Sequence, residues 1–303
     1  MCEGGKCGCM GKGRIVDAVK RGRTLVSDGA WGTFLQKKGL QPGECPELWC
    51  VTRPNDVLDV AKAYVDAGAD MVESDSFGGT SYKLEHYKLN NRVGEINEAA
   101  ARISKKATGD KKWVIASAGP TGKMLAMGDV TEQDLYNAFK EQVVAFEKGG
   151  ADAVCIETMS AIDEAVQAIK AARENTGLEV ICTFTFEKTA RGDYRTMMGV
   201  TPADAAKACV EAGAHIIGTN CGNGIDRMIE IVKEMRKAAP TTPILVHANA
   251  GLPQNIDGVD VFPDTPEKMG LMVKDLVKAG ANIVGGCCGT TPAHIIAMKK
   301  ALS

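Results

Sequence analysis

The chain reads as a (β/α)8 barrel, an α/β fold, on three observations. Four segments repeat one design, in which a helix end, a glycine turn and an apolar strand follow each other: AYVDAGADMVESDSF from Ala63, AFEKGGADAVCIETM from Ala145, ACVEAGAHIIGTNCG from Ala208 and DLVKAGANIVGGCCG from Asp275. Their turn glycines, at 68, 150, 213 and 280, are far enough apart for two strand-helix units in each gap. Four further apolar runs, RTLVSDGAWGT, KWVIASAGP, EVICTFTF and PILVHANAG, bring the strands to eight, with amphipathic stretches between them.

Each element has a local reason. RTLVSDGAWGT is a short apolar run that ends on Asp28. Gly68 closes a helix in the left-handed conformation, and the β-branched run after it is too short and too apolar for anything but a buried strand. KWVIASAGP supplies the third strand and is followed by TEQDLYNAFKEQVVAFEKGG, a helix with a polar start and apolar residues at three and four spacing. The Gly150 strand leads to the helix SAIDEAVQAIKAAREN, then to EVICTFTF and the Gly213 strand. GIDRMIEIVKEMRKAAP, PILVHANAG, TPEKMGLMVKDLVKAGA and the Gly280 strand complete the alternation. A doubly wound sheet would have fewer strands and a glycine fingerprint after the first, which is missing. No linker interrupts the pattern, so residues 23–303 form one domain and residues 1–22 a flexible leader.

Composition narrows the partners. The 303 residues are 45% hydrophobic and 24% charged with a net charge of -2, and no basic block marks a nucleic-acid or anionic-membrane surface. A small, roughly neutral partner suits the chain better. No run approaches the ~20 apolar residues of a membrane span, and MCEGGKCGCMGKGR lacks the apolar core of a signal peptide, so the expected location is the cytoplasm. Eleven cysteines in a long chain without an export signal point to metal binding or packing rather than to a disulfide framework. Cys155, Cys182 and Cys209 lie in apolar periodic segments and pack; Cys45 and Cys50 are read as structural. Cys2, Cys7 and Cys9 of the leader lack a fourth ligand and are read as part of a flexible tail. His215 and His247 are read as satisfied core residues, His86 and His294 as surface positions.

Barrel chemistry gathers at the C-terminal strand ends. In order these are Asp28, Glu73 with Asp75, Gly119-Pro120-Thr121, Glu157, Asn220 with Cys221, Asn249, and Cys287 with Cys288. Three cysteines from the sixth and eighth strands thus converge on one mouth. Adjacent Cys287 and Cys288 reach one metal only if the chain bends, which Gly285, Gly286 and Gly289 allow. A disulfide between them would be strained, because adjacent Cα atoms lie only ~3.8 Å apart. Three thiolates with an open fourth position make a catalytic Zn2+ site. A substrate thiol of free pKa ~8.5 entering that position is held as thiolate at neutral pH. Three anionic sulfurs leave the metal a poor activator of water, so alkyl transfer to sulfur is favoured over hydrolysis. The rival is a phosphate turn at the glycine pair and the next helix, as in barrel isomerases and lyases; Cys221, from another strand, favours the metal.

With DGAWGT, VESDSFGGT, AGPTG, CIET, GTNCGNG, HANAG and GGCCGTTPAHI in this order, the chain resembles the homocysteine S-methyltransferase family from about Arg23 to Ser303. It is most similar to the homocysteine-binding barrel of the cobalamin-dependent methionine synthase branch. The resemblance implies zinc on Cys221, Cys287 and Cys288 and a homocysteine thiolate that accepts a methyl group, giving methionine. It implies that Asp28 and Glu157 bind the amino acid end of the acceptor, that the turn at Gly29 offers N–H groups to its carboxylate, and that Asn249 lines the site. Asp75 departs from the family's usual Thr-Asn-Thr-Phe and adds an anion that repels a carboxylate or holds an amine. AGPTG is similar to the corrinoid-dependent branch, so the expected donor is methylcobalamin on a separate corrinoid protein. S-methylmethionine is the alternative donor. A thiol or zinc carrier without catalysis is the remaining alternative.

Overall fold

The computed structural model describes residues 12–256 and 259–303. Eight parallel strands alternate with helices: β1 (Leu25–Val26), β2 (Met71–Glu73), β3 (Trp113–Ala118), β4 (Ala153–Met159), β5 (Glu179–Phe184), β6 (Ile216–Asn220), β7 (Ile244–Ala248) and β8 (Ile283–Gly286). They hydrogen-bond in the order β1-β8-β7-β6-β5-β4-β3-β2, which is the expected (β/α)8 barrel. Thr131 and Thr265, at two helix starts anticipated above, cap the helices Glu132–Lys148 and Pro266–Ala279 with their side chains, and Thr201 does the same for Pro202–Ala212.

The ring closes between β1 and β2 without a regular ladder. There Asp70 Oδ2 accepts from Val26 N at 2.9 Å and Asp28 Oδ2 accepts from Glu73 N at 2.8 Å. One backbone bond, Asp70 N to Val26 O at 2.6 Å, completes the seam. Because β1 is only two residues long, two carboxylates do the pairing a longer strand would do.

Strand residues alternate between two apolar clusters, as period-two geometry requires. Val26, Val72, Val154, Val180, Ile217, Val246 and Val284 face the helices, in the larger cluster. Leu25, Met71, Ile115, Cys155, Ile181, Ile216, Leu245 and Ile283 fill the barrel axis with Ile15, Ala18 and Val19. Those last three belong to the helix Ile15–Lys20, whose first N–H groups, of Ile15 and Val16, donate to Glu179 at 2.6 and 3.1 Å. The expected leader is therefore corrected over this part: residues 15–20 plug the base of the barrel, their apolar side helping to fill its core. Cys2, Cys7 and Cys9 lie outside the described residues.

Among the elements not anticipated are the hairpins Glu187–Lys188 with Tyr194–Arg195 and Gln254–Ile256 with Val259–Val261, after β5 and β7. His294 is corrected as well: it is 6% exposed, with Nε2 3.0 Å from Asp264 O. No helix of the described residues is long and apolar enough to cross a membrane.

His215 provides a test of the fold's acid response. Its Nδ1 accepts from Val180 N at 2.9 Å, so protonating it costs that bond. Burial, followed by the charges of Arg173 and Arg14, lowers its pKa from 6.5 to about 4. An unfolded chain takes up a proton near 6.5 that the fold refuses until about 4, so stability is lost as pH falls through that window. Urea unfolding at pH 4 to 7 is expected to show this slope, and His215→Asn to flatten it by about 1 kcal/mol, discounted for partial exposure.

Candidate thiol and metal site at the barrel mouth

The inward alternation that fills the axis with apolar side chains continues one step toward the C-terminal ends, where it presents polar ones. Met71 is followed by Glu73, Ile115 by Ser117, Cys155 by Glu157, Ile216 and Gly218 by Asn220, and Leu245 by His247. A cavity of about 410 Å³ opens above this polar layer. Glu73, Glu157 and His247 line it together with Cys221, Cys287 and Cys288.

The three cysteines meet as expected. Cys221 Sγ lies 3.8 Å from Cys288 Sγ, and Cys287 Sγ lies 4.0 Å from Cys288 Sγ. Ligands about 2.3 Å from a tetrahedral centre are separated by about 3.8 Å, so the sulfur spacing fits Zn2+. Cys221 is held in the left-handed region at φ 58, an uncommon conformation for a residue with a Cβ, with its N–H bonded to His247 O at 3.0 Å. The bend expected from three glycines is made by Gly289 alone, at φ 79, inside a turn closed by Thr290 N to Cys287 O at 3.1 Å. Gly286 is instead a close-approach position, where a Cβ would stand 2.2 Å from Thr290 Oγ1.

Three such close thiols cannot all ionise without a cation. Hydrogen bonds from Cys287 and Cys288 pull Cys221 down to about 3, while Cys288 rises to about 12 and Cys287 rises well above its usual range, each chiefly through Cys221. One thiolate shared by two thiols is the metal-free state this geometry favours. A divalent cation of soft character would replace those protons.

The remaining residues divide into lining and support. Gly29, Asp75 and Glu157 line the cavity. Asp28 and Asn249 stand behind it: Asp28 accepts from Ser27 Oγ, Trp31 Nε1 and Glu73 N, and the Asn249 side chain helps to lower the Cys221 pKa. Glu157 accepts from Ser117 Oγ and from Asn220 Nδ2 at 3.1 Å. Burial first, and then the neighbouring Glu73, push its carboxyl well above the usual range. Asp75 is raised well above its range by burial and then by Glu47, and its partner is the Cys50 thiol, 3.8 Å from Oδ2. Cys45 donates to Glu47 at 3.2 Å, so both cysteines taken as structural serve acids of the cavity wall.

Sequence reading missed Glu47 and the roles of Asn220 and His247. Asn220 accepts from Thr158 N at 2.8 Å and Thr183 Oγ1 at 2.7 Å, and donates to Thr158 Oγ1 at 2.7 Å as well as to Glu157. It thereby fixes Thr158 at φ 61, a strained conformation for a β-branched residue. His247 is buried as expected but not satisfied: Nε2 has no partner, and Nδ1 stands 3.4 Å from Glu73 Oε1. Burial lowers its pKa.

A profile of the homocysteine S-methyltransferase family matches residues 25–302. The chain belongs to the homocysteine S-methyltransferase family. Methionine synthase of Mycobacterium tuberculosis strain H37Rv is 30% identical over 95% of this chain, and that of Mycobacterium leprae 31% over 93%. The chain spans only 25% and 24% of the length of those two relatives. Among solved structures, the metallated form of the Escherichia coli homocysteine methyltransferase MmuM superposes with a TM-score of 0.78 at 20% identity, covering 94% of this chain and 99% of that one. Its oxidised form gives a TM-score of 0.76 at 20% identity, over 94% and 98% of the two chains. At such identity these structures attest the fold.

Proposed function

We propose that this barrel is a zinc-dependent S-methyltransferase that moves a methyl group from methylcobalamin on a separate corrinoid protein to the thiolate of homocysteine, giving methionine. The observation that carries the reading is the trio of sulfurs at tetrahedral spacing, opening onto a cavity large enough for an amino acid. Cys221, Cys287 and Cys288 would hold Zn2+, whose charge, when it is bound, keeps an acceptor sulfur deprotonated at neutral pH. Asn249 steadies the Cys221 sulfur, and the turn at Gly29 faces the incoming substrate. The new carbon–sulfur bond forms as the bond to the donor breaks, with the electron pair leaving on the donor.

Two features support the choice over its rivals. No lysine or arginine is among the residues lining the cavity, while Glu47, Glu73, Asp75 and Glu157 are, which disfavours a phosphate ligand. The chain is also 30% and 31% identical to two proteins named methionine synthase, which favours a methionine-forming reaction over a phosphate-ligand isomerase or lyase. The test is to incubate the zinc-loaded protein and homocysteine with methylcobalamin, S-methylmethionine and betaine in turn, and to weigh the product. Methionine from methylcobalamin is expected; methionine from S-methylmethionine alone replaces the donor, and no product from any donor leaves a thiol or zinc carrier.

A further inference from the structure

The pairing of β1 with β8 ends where Gly286 N donates to Asp28 O at 2.8 Å. Just beyond, the turn at Gly29 and Ala30 and the turn at Cys287 and Cys288 both line the cavity. A side chain joins them there. Thr290, 2% exposed and behind the cavity wall, donates from Oγ1 to Cys287 O at 2.7 Å and accepts from Ala30 N at 3.1 Å. An amide N–H can only donate, so the one hydroxyl proton is committed to Cys287 O and both roles are fixed. Ala30 is held from its other end by Tyr64, whose hydroxyl donates to Ala30 O at 2.7 Å.

The backbone on both sides makes room for the Thr290 hydroxyl. A Cβ at Gly29 would stand 2.7 Å from Thr290 Oγ1, and one at Gly286 2.2 Å. Neither glycine has a positive φ, so the missing side chain serves clearance and not a turn conformation. One buried oxygen thus rivets the turn that carries two of the sulfurs to the turn that faces the rest of the acceptor. An acceptor bound through its sulfur to the first turn and through its amino acid end to the second must span the gap between them. We infer that Thr290 is a positioning residue that fixes this gap, and so makes the site selective for the chain length of its thiol acceptor, homocysteine over the free amino acid cysteine, which is one methylene shorter. This assignment rests on the thiol-methylation reading.

The experiment measures binding and needs no methyl donor. Calorimetry on the zinc-loaded protein compares homocysteine with cysteine, with zinc content measured after each titration. Wild type is expected to bind homocysteine about 10- to 100-fold more tightly, the worth of one methylene in a fixed site. Thr290→Val keeps the side-chain shape and loses both bonds; it is expected to shrink that ratio about tenfold by weakening homocysteine. Thr290→Ser, which keeps the hydroxyl, is expected to keep the ratio. A hydroxyl of merely structural worth would lower the melting temperature of Thr290→Val and leave its ratio alone, and that result overturns the assignment. A loss in Thr290→Ser equal to that in Thr290→Val also overturns it, as does a wild-type ratio near one. Should Thr290→Val not fold, Tyr64→Phe frees Ala30 from the other end, and an unchanged ratio there counts against the assignment in the same way. If neither thiol binds zinc-loaded wild type, the thiol reading itself fails and takes this assignment with it.

Discussion

Cys287→Ala is expected to abolish stoichiometric zinc and to lower homocysteine methylation by roughly 10³-fold or more. Two losses multiply. A thiol of pKa ~8.5 is only about 3% ionised at pH 7, so without the metal the reactive form falls about 30-fold. The sulfur also loses its fixed position, worth roughly another 10²-fold. Cys287 borders a cavity, and its thiol is paired only with the other two cysteines, so the melting temperature of the metal-free protein should barely move. Metal analysis of wild type and variant, together with single-turnover product formation, checks both parts. Full zinc occupancy in the variant would show that Cys221 and Cys288 recruit a different third ligand.

Asn220→Ala should be the most damaging change at a residue that is neither a sulfur ligand nor itself part of the cavity lining. The side chain is fully buried and makes four hydrogen bonds, to Glu157, Thr158 twice, and Thr183. At about 1 kcal/mol each, their removal costs about 3–4 kcal/mol of stability by chemical denaturation. Thr158 then loses what holds it at positive φ, and Glu157 Oε2 loses its donor. A rise in the KM for homocysteine is expected alongside the lost stability. A change in stability without a change in KM would mean that Ser117 positions Glu157 unaided.

The barrel was legible because its evidence is local: glycine turns, short apolar strands and amphipathic helices each declare themselves within about 15 residues. The three cysteines were legible for a related reason, since a strand end is a fixed address in this architecture. The contact between Glu73 and His247 was harder to see, because strand-end position says which residues reach the mouth but not which of them meet there. Their inward direction lies in the alternation Met71–Glu73 and Leu245–His247, which becomes readable once the strands are set in register. The helix Ile15–Lys20 escaped because six residues next to a glycine-rich tract carry too little periodicity to stand out. His294 and Asn220 are set by partners 30 to 63 positions away, and such pairings belong to tertiary structure alone.

The closure between β1 and β2 makes the barrel less a sealed cylinder than a clasped collar. Seven of its joints are strand ladders, and the eighth is a clasp of two acids and one backbone bond. Breathing motions of the native protein start where the fewest bonds must break, so amides of Val26 and Glu73 should exchange before those of β4 or β5. One jaw of the clasp, Asp28, lies directly behind the cavity floor. The chain's own end helps to keep it shut: Lys299, in the final helix, reaches Asp70 at 2.6 Å. Trimming that helix should loosen the mouth of the barrel from a distance, without touching a residue that meets the substrate.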